Sequence, residues 1–210
     1  MTTTTRPDTS RRTADHSTSP RHGSAHRPGI GGHLLARWPS AVGLLALIAN
    51  AAGGLDSHVT AMIIILAAMC YLAAAALGSR RSGWVMLGVA VLAVTAAKAT
   101  GLDPTAILLA MGAAFAVYGF LRGARIDRRE LVIQALAFAG FSAVALSAMT
   151  AGPLLAAHLA AGAAIGHAVW DAITYYRDKA VDRSLAEFCF VLDFGLGLLL
   201  LLTAWNLIPA

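Results

Sequence analysis

Charge is scarce in this chain. Asp, Glu, Lys and Arg make up 13% of its 210 residues, about half the roughly 25% usual in a soluble domain. Many of those charges fall in the first 37 residues, while 58% of the chain is hydrophobic and the mean hydropathy is +0.68. What remains cannot cover a water-soluble surface, which excludes a soluble enzyme. Cysteine is scarcer still. Cys70 and Cys189 both lie in apolar stretches and form no C-x-x-C pair, which excludes a disulfide framework and a zinc ribbon. Mid-segment proline is missing, which argues against a transporter built on proline-broken helices. Lysine occurs only at positions 98 and 179, so the last apolar segment lacks a Schiff-base lysine and retinal is not expected. No H-E-x-x-H or similar motif occurs. The sequence therefore names no catalytic residue and no organic cofactor.

What is present is a run of apolar segments behind a polar tail. Residues 1–33 are mostly Thr, Ser, Arg, His, Pro and Gly, too polar to offset the entropy of ordering, and read as a disordered basic tail. The irregularly spaced His16, His22, His26 and His33 belong to that tail. Residues 34–210 read as one transmembrane domain. Seven segments, about 38–55, 58–77, 83–100, 105–121, 131–149, 153–175 and 185–208, each approach the ~20 residues a helix needs to cross about 30 Å of hydrocarbon. The first is the shortest, and Ala49-Asn50-Ala51 within it has the A-x-A form of a signal-peptidase site. Pro39, Pro104 and Pro153 stand at segment starts, where a helix loses nothing by lacking an N–H. Asp103-Pro104 reads as an N-cap followed by a first-turn proline. The predicted fold is an all-α polytopic membrane bundle of about seven transmembrane helices.

The net charge of +5 does not imply a nucleic-acid partner, because the basic residues are divided among the tail and short loops. Fifteen of the sixteen Lys and Arg fall on one side of a seven-span arrangement, with Lys98 alone on the other. The positive-inside rule then predicts a cell-membrane protein with a cytoplasmic N-terminus and an external C-terminus. Its expected partners are the bilayer, with anionic lipids at the basic loops, and a homo-oligomer stays open, while the small-residue stripe Gly162-x-x-x-Gly166 reads as tight helix contact in a compact bundle.

Polar residues concentrate in the last two segments. An ionisable group at the centre of a span costs about 2.5–3.5 kcal/mol on insertion scales. At about −0.5 kcal/mol each, the eight leucines around Asp193 offset one such charge. Asp193 is affordable there but needs a reason. His167 and Asp171 share a helix face at i, i+4 spacing, and so do Cys189 and Asp193. Counted from Tyr175 and Leu185, His167 and Asp193 lie equally deep, about 12 Å inward at 1.5 Å per residue. The short connection makes the two segments antiparallel neighbours, so His167, Asp171 and Asp193 are predicted to converge near the cytoplasmic side. These three are the candidate metal ligands. His158 lies on the opposite face. Ser184 and Glu187 read as a capping box for the last helix, with direct participation of Glu187 in a site as the alternative. Cys70 and Cys189 read as packing residues, and Tyr71, Tyr118, Gln134, Ser142 and Ser147 as interhelical hydrogen-bonding residues.

The H-x-x-W-D run (His167, Trp170, Asp171), with the downstream S-x-x-E-x-C-x-x-x-D from Ser184 to Asp193, resembles small uncharacterised bacterial multi-pass membrane proteins. The resemblance covers residues 167–193 and implies no activity. Three readings of the His/Asp group stay open at this point: a satisfied structural network, a proton or cation path in a transporter or channel, and a divalent-metal site in a membrane-embedded enzyme.

Overall fold

A computed structural model describes residues 37–123 and 126–207; the predicted tail, residues 1–33, lies outside them. The described residues form seven α-helices: α1 Trp38–Ala52, α2 Ser57–Leu77, α3 Ser82–Thr100, α4 Pro104–Leu121, α5 Arg128–Thr150, α6 Pro153–Arg177 and α7 Arg183–Ala204. Helices α2 to α7 are each long and apolar enough to cross a membrane. Helix α1 has 15 residues, about 22 Å at 1.5 Å per residue. It ends earlier than the predicted 38–55 segment because Gly53-Gly54 follows it, Gly54 at φ +91°.

The sequence signals at helix starts hold. Asp103 caps α4 by accepting from the Thr105 N–H, and Pro104 occupies its first turn. Pro39 and Pro153 do the same for α1 and α6. Asp56 caps α2, accepting from the N–H groups of His58 and Val59 at 2.6 and 3.0 Å. At the other end of α2, Gly78 takes the left-handed conformation at φ +65°, and Arg122 reaches across to the carbonyls of Ala76 and Leu77.

Helix α2 is the axis of the bundle. Its most apolar stretch is 83% buried, against 17–50% for the other five long helices, and α3 to α7 all pack against it. A helix apolar all round is suited to that place, and its run of alanines lets neighbours come close. Helix α1 packs along α7. The seam between α6 and α7 is the most extensive helix pair in the molecule. It closes tightly because Gly197 lies against the backbone of α6: a Cβ there would sit 2.7 Å from Ile165 Cγ1 and 3.0 Å from the Ala161 carbonyl oxygen. The small-residue stripe singled out in the sequence does not make this contact, since Gly162 has nothing within 4 Å of a Cβ position.

Ion pairs gather three connections at one end. Asp178, between α6 and α7, binds Arg80 between α2 and α3, and Arg183 Nε at 3.1 Å. Lys179 lies 3.6 Å from Asp127, which precedes α5. The Arg80 guanidinium hydrogen-bonded to Asp178 holds that exposed carboxyl below its ordinary 3.8. Arg37, before α1, lies 3.4 Å from Glu187 at this same basic end. Helix α1 therefore starts at the basic end and α2 starts at the opposite one.

Candidate functional site

The last two helices end on a short connection, residues 178–182, and this sets the register between them. His167 lies ten residues before the end of α6 and Asp193 ten residues after the start of α7, about 15 Å into the bundle from the basic end. Asp171 is one turn nearer that end on the same face as His167. Convergence was expected from the spacing, and the three side chains do meet, each 0% exposed.

Nδ1 of His167 donates to Asp193 Oδ2 at 2.8 Å and lies 3.4 Å from Asp171 Oδ1. One ligand atom from each of the three residues lies within 4.8 Å of the others, so the group is able to coordinate a metal ion. A fourth residue completes the cluster. The Tyr71 hydroxyl on α2 donates to Asp171 Oδ1 at 2.5 Å. Two aromatic rings wedge the imidazole edge-on, Tyr71 at 5.4 Å and Phe141 of α5 at 5.0 Å between centroids. Four helices thus hold His167 in place.

Among the described residues, four buried side-chain polar atoms lack a hydrogen-bond partner: Ser142 Oγ, His167 Nε2, Asp171 Oδ2 and Asp193 Oδ1. Three of the four belong to this one cluster. Buried polar atoms are ordinarily paired, and leaving one unpaired costs about 1–3 kcal/mol.

The other predicted residues separate from the cluster. Glu187 and Ser184 do not form a capping box. The helix starts one residue before Ser184, with Asp182 at the N-cap position and no side-chain cap, so Ser184 is inside the first turn and cannot cap it. Its hydroxyl accepts from the Trp84 indole N–H at 3.0 Å instead. Glu187 accepts from the Ser40 hydroxyl on α1 and faces Arg37. It also lines a cleft of about 300 Å³ whose wall includes Asp171, Tyr175, Ala186 and Phe190. Cys70 and Cys189 are buried free thiols. His158 is away from the cluster, its ring donating to the Leu154 carbonyl at 2.7 Å.

The H-x-x-W-D run divides between two faces. His167 and Asp171 turn toward α7 and α2, whereas Trp170 donates to Gln134 of α5 at 3.2 Å. Gln134 in turn donates to Glu130 at 2.8 Å, and Arg177 closes this second network on Glu130 at 3.3 Å. Tyr71 and Gln134, expected to make interhelical hydrogen bonds, do so, whereas the place of Tyr71 in the His/Asp cluster and of Glu130 in the second network was not expected. The available signal for Tyr71 was a lone phenol in the most apolar helix. That for Glu130 was an acid beside the predicted start of the fifth segment.

No protein-family model matches the chain, and no curated protein and no solved structure matches it either.

Proposed function

We propose that this multi-pass membrane protein holds a divalent metal ion of the zinc class between His167, Asp171 and Asp193. The observation that carries the reading is the convergence of these three fully buried side chains, with one ligand atom of each within 4.8 Å of the others. A single proton bridges two atoms. A metal ion accepts several donors at once, and two carboxylates match its double charge. Two carboxylates this close in a low-dielectric interior do not both stay ionised without a cation. The ligand atoms lie within 4.8 Å of one another, and an ion entering there would replace the 2.8 Å hydrogen bond between His167 Nδ1 and Asp193.

Three protein ligands leave one coordination position for an oxygen ligand, and a bound ion supplies Lewis-acid polarisation there. The chain's own contribution is positional: Tyr71 fixes the Asp171 carboxylate, and Phe141 and Tyr71 clamp the imidazole. A transporter or channel reading is less well supported. Beyond the cluster, toward the opposite end, Leu196, Leu200, Ala160 and Ala164 are 0–3% exposed and Gly197 closes the seam. The site is built for a resident ion more than for one in transit.

The loops around Arg80, Arg81, Arg128 and Arg129 support a cytoplasmic basic end in contact with anionic lipid headgroups. Metal analysis by mass spectrometry on the detergent-purified protein tests the central reading. One zinc-class ion per chain is expected, falling to background in His167→Ala and Asp193→Asn. Wild-type protein that carries no metal after zinc loading, with a melting temperature indifferent to zinc and to chelator, would overturn it.

A further inference from the structure

A buried metal site needs a way in, and one wall of the cluster offers it. The cleft between α6 and α7 at the basic end is lined by Asp171 on one side and by Glu187 on the other, with Arg37, Tyr175 and Ala186 around them. Glu187 lies four residues into α7, its side chain 14% exposed, and is paired with an Arg37 side chain that is 72% exposed. Asp171 lies deeper and is fully buried, and its Oδ2 has no hydrogen-bond partner. Glu187, near water, and Asp171, buried at depth, thus line one cleft.

Resting on the metal reading above, we propose that this cleft is the loading route of the His167/Asp171/Asp193 site and that Glu187 is its receiving ligand. Four features support the route. Glu187 has no capping duty at the helix start; its carboxylate is held instead by the Ser40 hydroxyl and Arg37 at the start of α1. The ion pair on it is made with an arginine 72% exposed at the very start of α1, a partner that an arriving cation can displace while the Ser40 hydroxyl turns to donate elsewhere. The oxygens along the way are ordered from solvent inward: Glu187, then Asp171, then Asp193. The far side of the site is closed by the Gly197 seam, so the cleft is the way consistent with the packing. An arriving cation exchanges Arg37 for itself on Glu187, passes to Asp171, and settles where His167 and Asp193 complete its coordination. No bond is made or broken apart from coordination, and no redox change is involved.

Charge at a cleft mouth alters cation entry by about 10- to 1,000-fold in favourable geometries. Glu187→Gln removes the attraction, and Arg37→Gln removes a competing positive charge. The two partners of this ion pair should therefore move the loading rate in opposite directions. Were the pair only structural, both substitutions would loosen the same contact and act in the same sense.

The test uses cobalt(II) as the probe, added to metal-stripped full-length protein in detergent, with the growth of its visible absorption followed by stopped flow. The final absorption of the wild-type protein reports whether the site binds metal at all. The rates of the variants report the route. Glu187→Gln should load about tenfold more slowly with an unchanged final absorption, and Arg37→Gln severalfold faster. Variants that both load at the wild-type rate, or both shift in one direction, overturn the route while leaving the site standing. A wild-type protein that develops no absorption overturns the site and the route together. If Glu187→Gln does not fold, the exposed Arg37 carries the test: a rate for Arg37→Gln at or below that of wild type overturns the proposal.

Discussion

Asp171 accepts the Tyr71 hydroxyl on Oδ1 at 2.5 Å while its Oδ2 stays unpartnered, so the phenol determines how this carboxylate is aimed. A hydrogen bond of this kind to a ligand carboxylate stiffens the site before the ion arrives, and its loss typically lowers metal affinity 10- to 100-fold. Tyr71→Phe keeps the ring against His167 and removes only the hydroxyl. We expect the variant to bind zinc with the same stoichiometry and an affinity lower by about that factor, measured by competition with a chromophoric chelator. An unchanged affinity would show that Tyr71 acts on packing alone. The proposed site predicts a different outcome for His167→Ala and Asp193→Asn in the same experiment: each takes away a ligand and should abolish binding. The contrast between weakened and abolished binding separates the residue that positions from those that coordinate. Their places in the sequence already hint at this division. His167 and Asp193 are polar interruptions in strongly apolar helices, and only a shared partner offsets such a placement.

Helices α6 and α7 bring those residues together because their backbones approach closely at Gly197. Adding a Cβ there meets Ile165 at 2.7 Å and the Ala161 carbonyl at 3.0 Å. A carbonyl on a helix cannot swing aside as a side-chain tip can, so the helices themselves must part. Overpacking of this sort costs about 1–3 kcal/mol. Gly197→Ala should therefore lower the melting temperature and reduce metal content together, whereas Gly162→Ala, with open space around it, should leave both unchanged. Metal retention at the wild-type level in Gly197→Ala would show that the site tolerates movement of the seam. This pair also shows what was legible in the sequence at the level of elements. Helix positions were legible because apolar runs, first-turn prolines and Asp N-caps mark them. The convergence of His167, Asp171 and Asp193 was legible too, because i, i+4 spacing and a short connection leave little freedom of register. Two things were not. Gly162-x-x-x-Gly166 carries the pattern of a tight contact, yet Gly162 faces open space and Gly166 meets only the Phe141 side chain at an ordinary 3.5 Å, and the pattern alone cannot distinguish the two faces of an alanine-rich helix. Tyr71 was legible as an interhelical hydrogen-bonding residue but its partner was not, because α2 is apolar on every side and its sequence marks no face toward α6. The start of α7 shows a third limit: a one-residue shift moved Ser184 out of the cap position and freed Glu187 for another role.

Across the whole molecule, the ion pairs link Arg80 to Asp178, Lys179 to Asp127 and Arg37 to Glu187, so the arginine-rich connections share one end of the bundle. This turns a charge count along the sequence into a three-dimensional asymmetry. One end carries the connections that hold Arg80, Arg81, Arg122, Arg128, Arg129, Arg177, Lys179 and Arg183, and Lys98 lies near the other end in the last turn of α3. Translocating so many cations across a bilayer is disfavoured, and short basic loops are retained on the cytoplasmic side. The cleft that reaches Asp171 opens at that same end, so the orientation also decides which compartment supplies the metal. On the proposed orientation, with the basic end cytoplasmic, the proposed route would draw its ion from the cytoplasm. An enzyme reporter that is active only outside the cytoplasm should be silent when fused after Lys179 and active when fused after Ala210. A membrane-impermeant thiol reagent should label Ser79→Cys, at the basic end, in inside-out vesicles and fail to do so in intact cells. Activity at Lys179 together with labelling from outside would invert the molecule, place the cleft mouth in the external compartment and assign metal loading to that side.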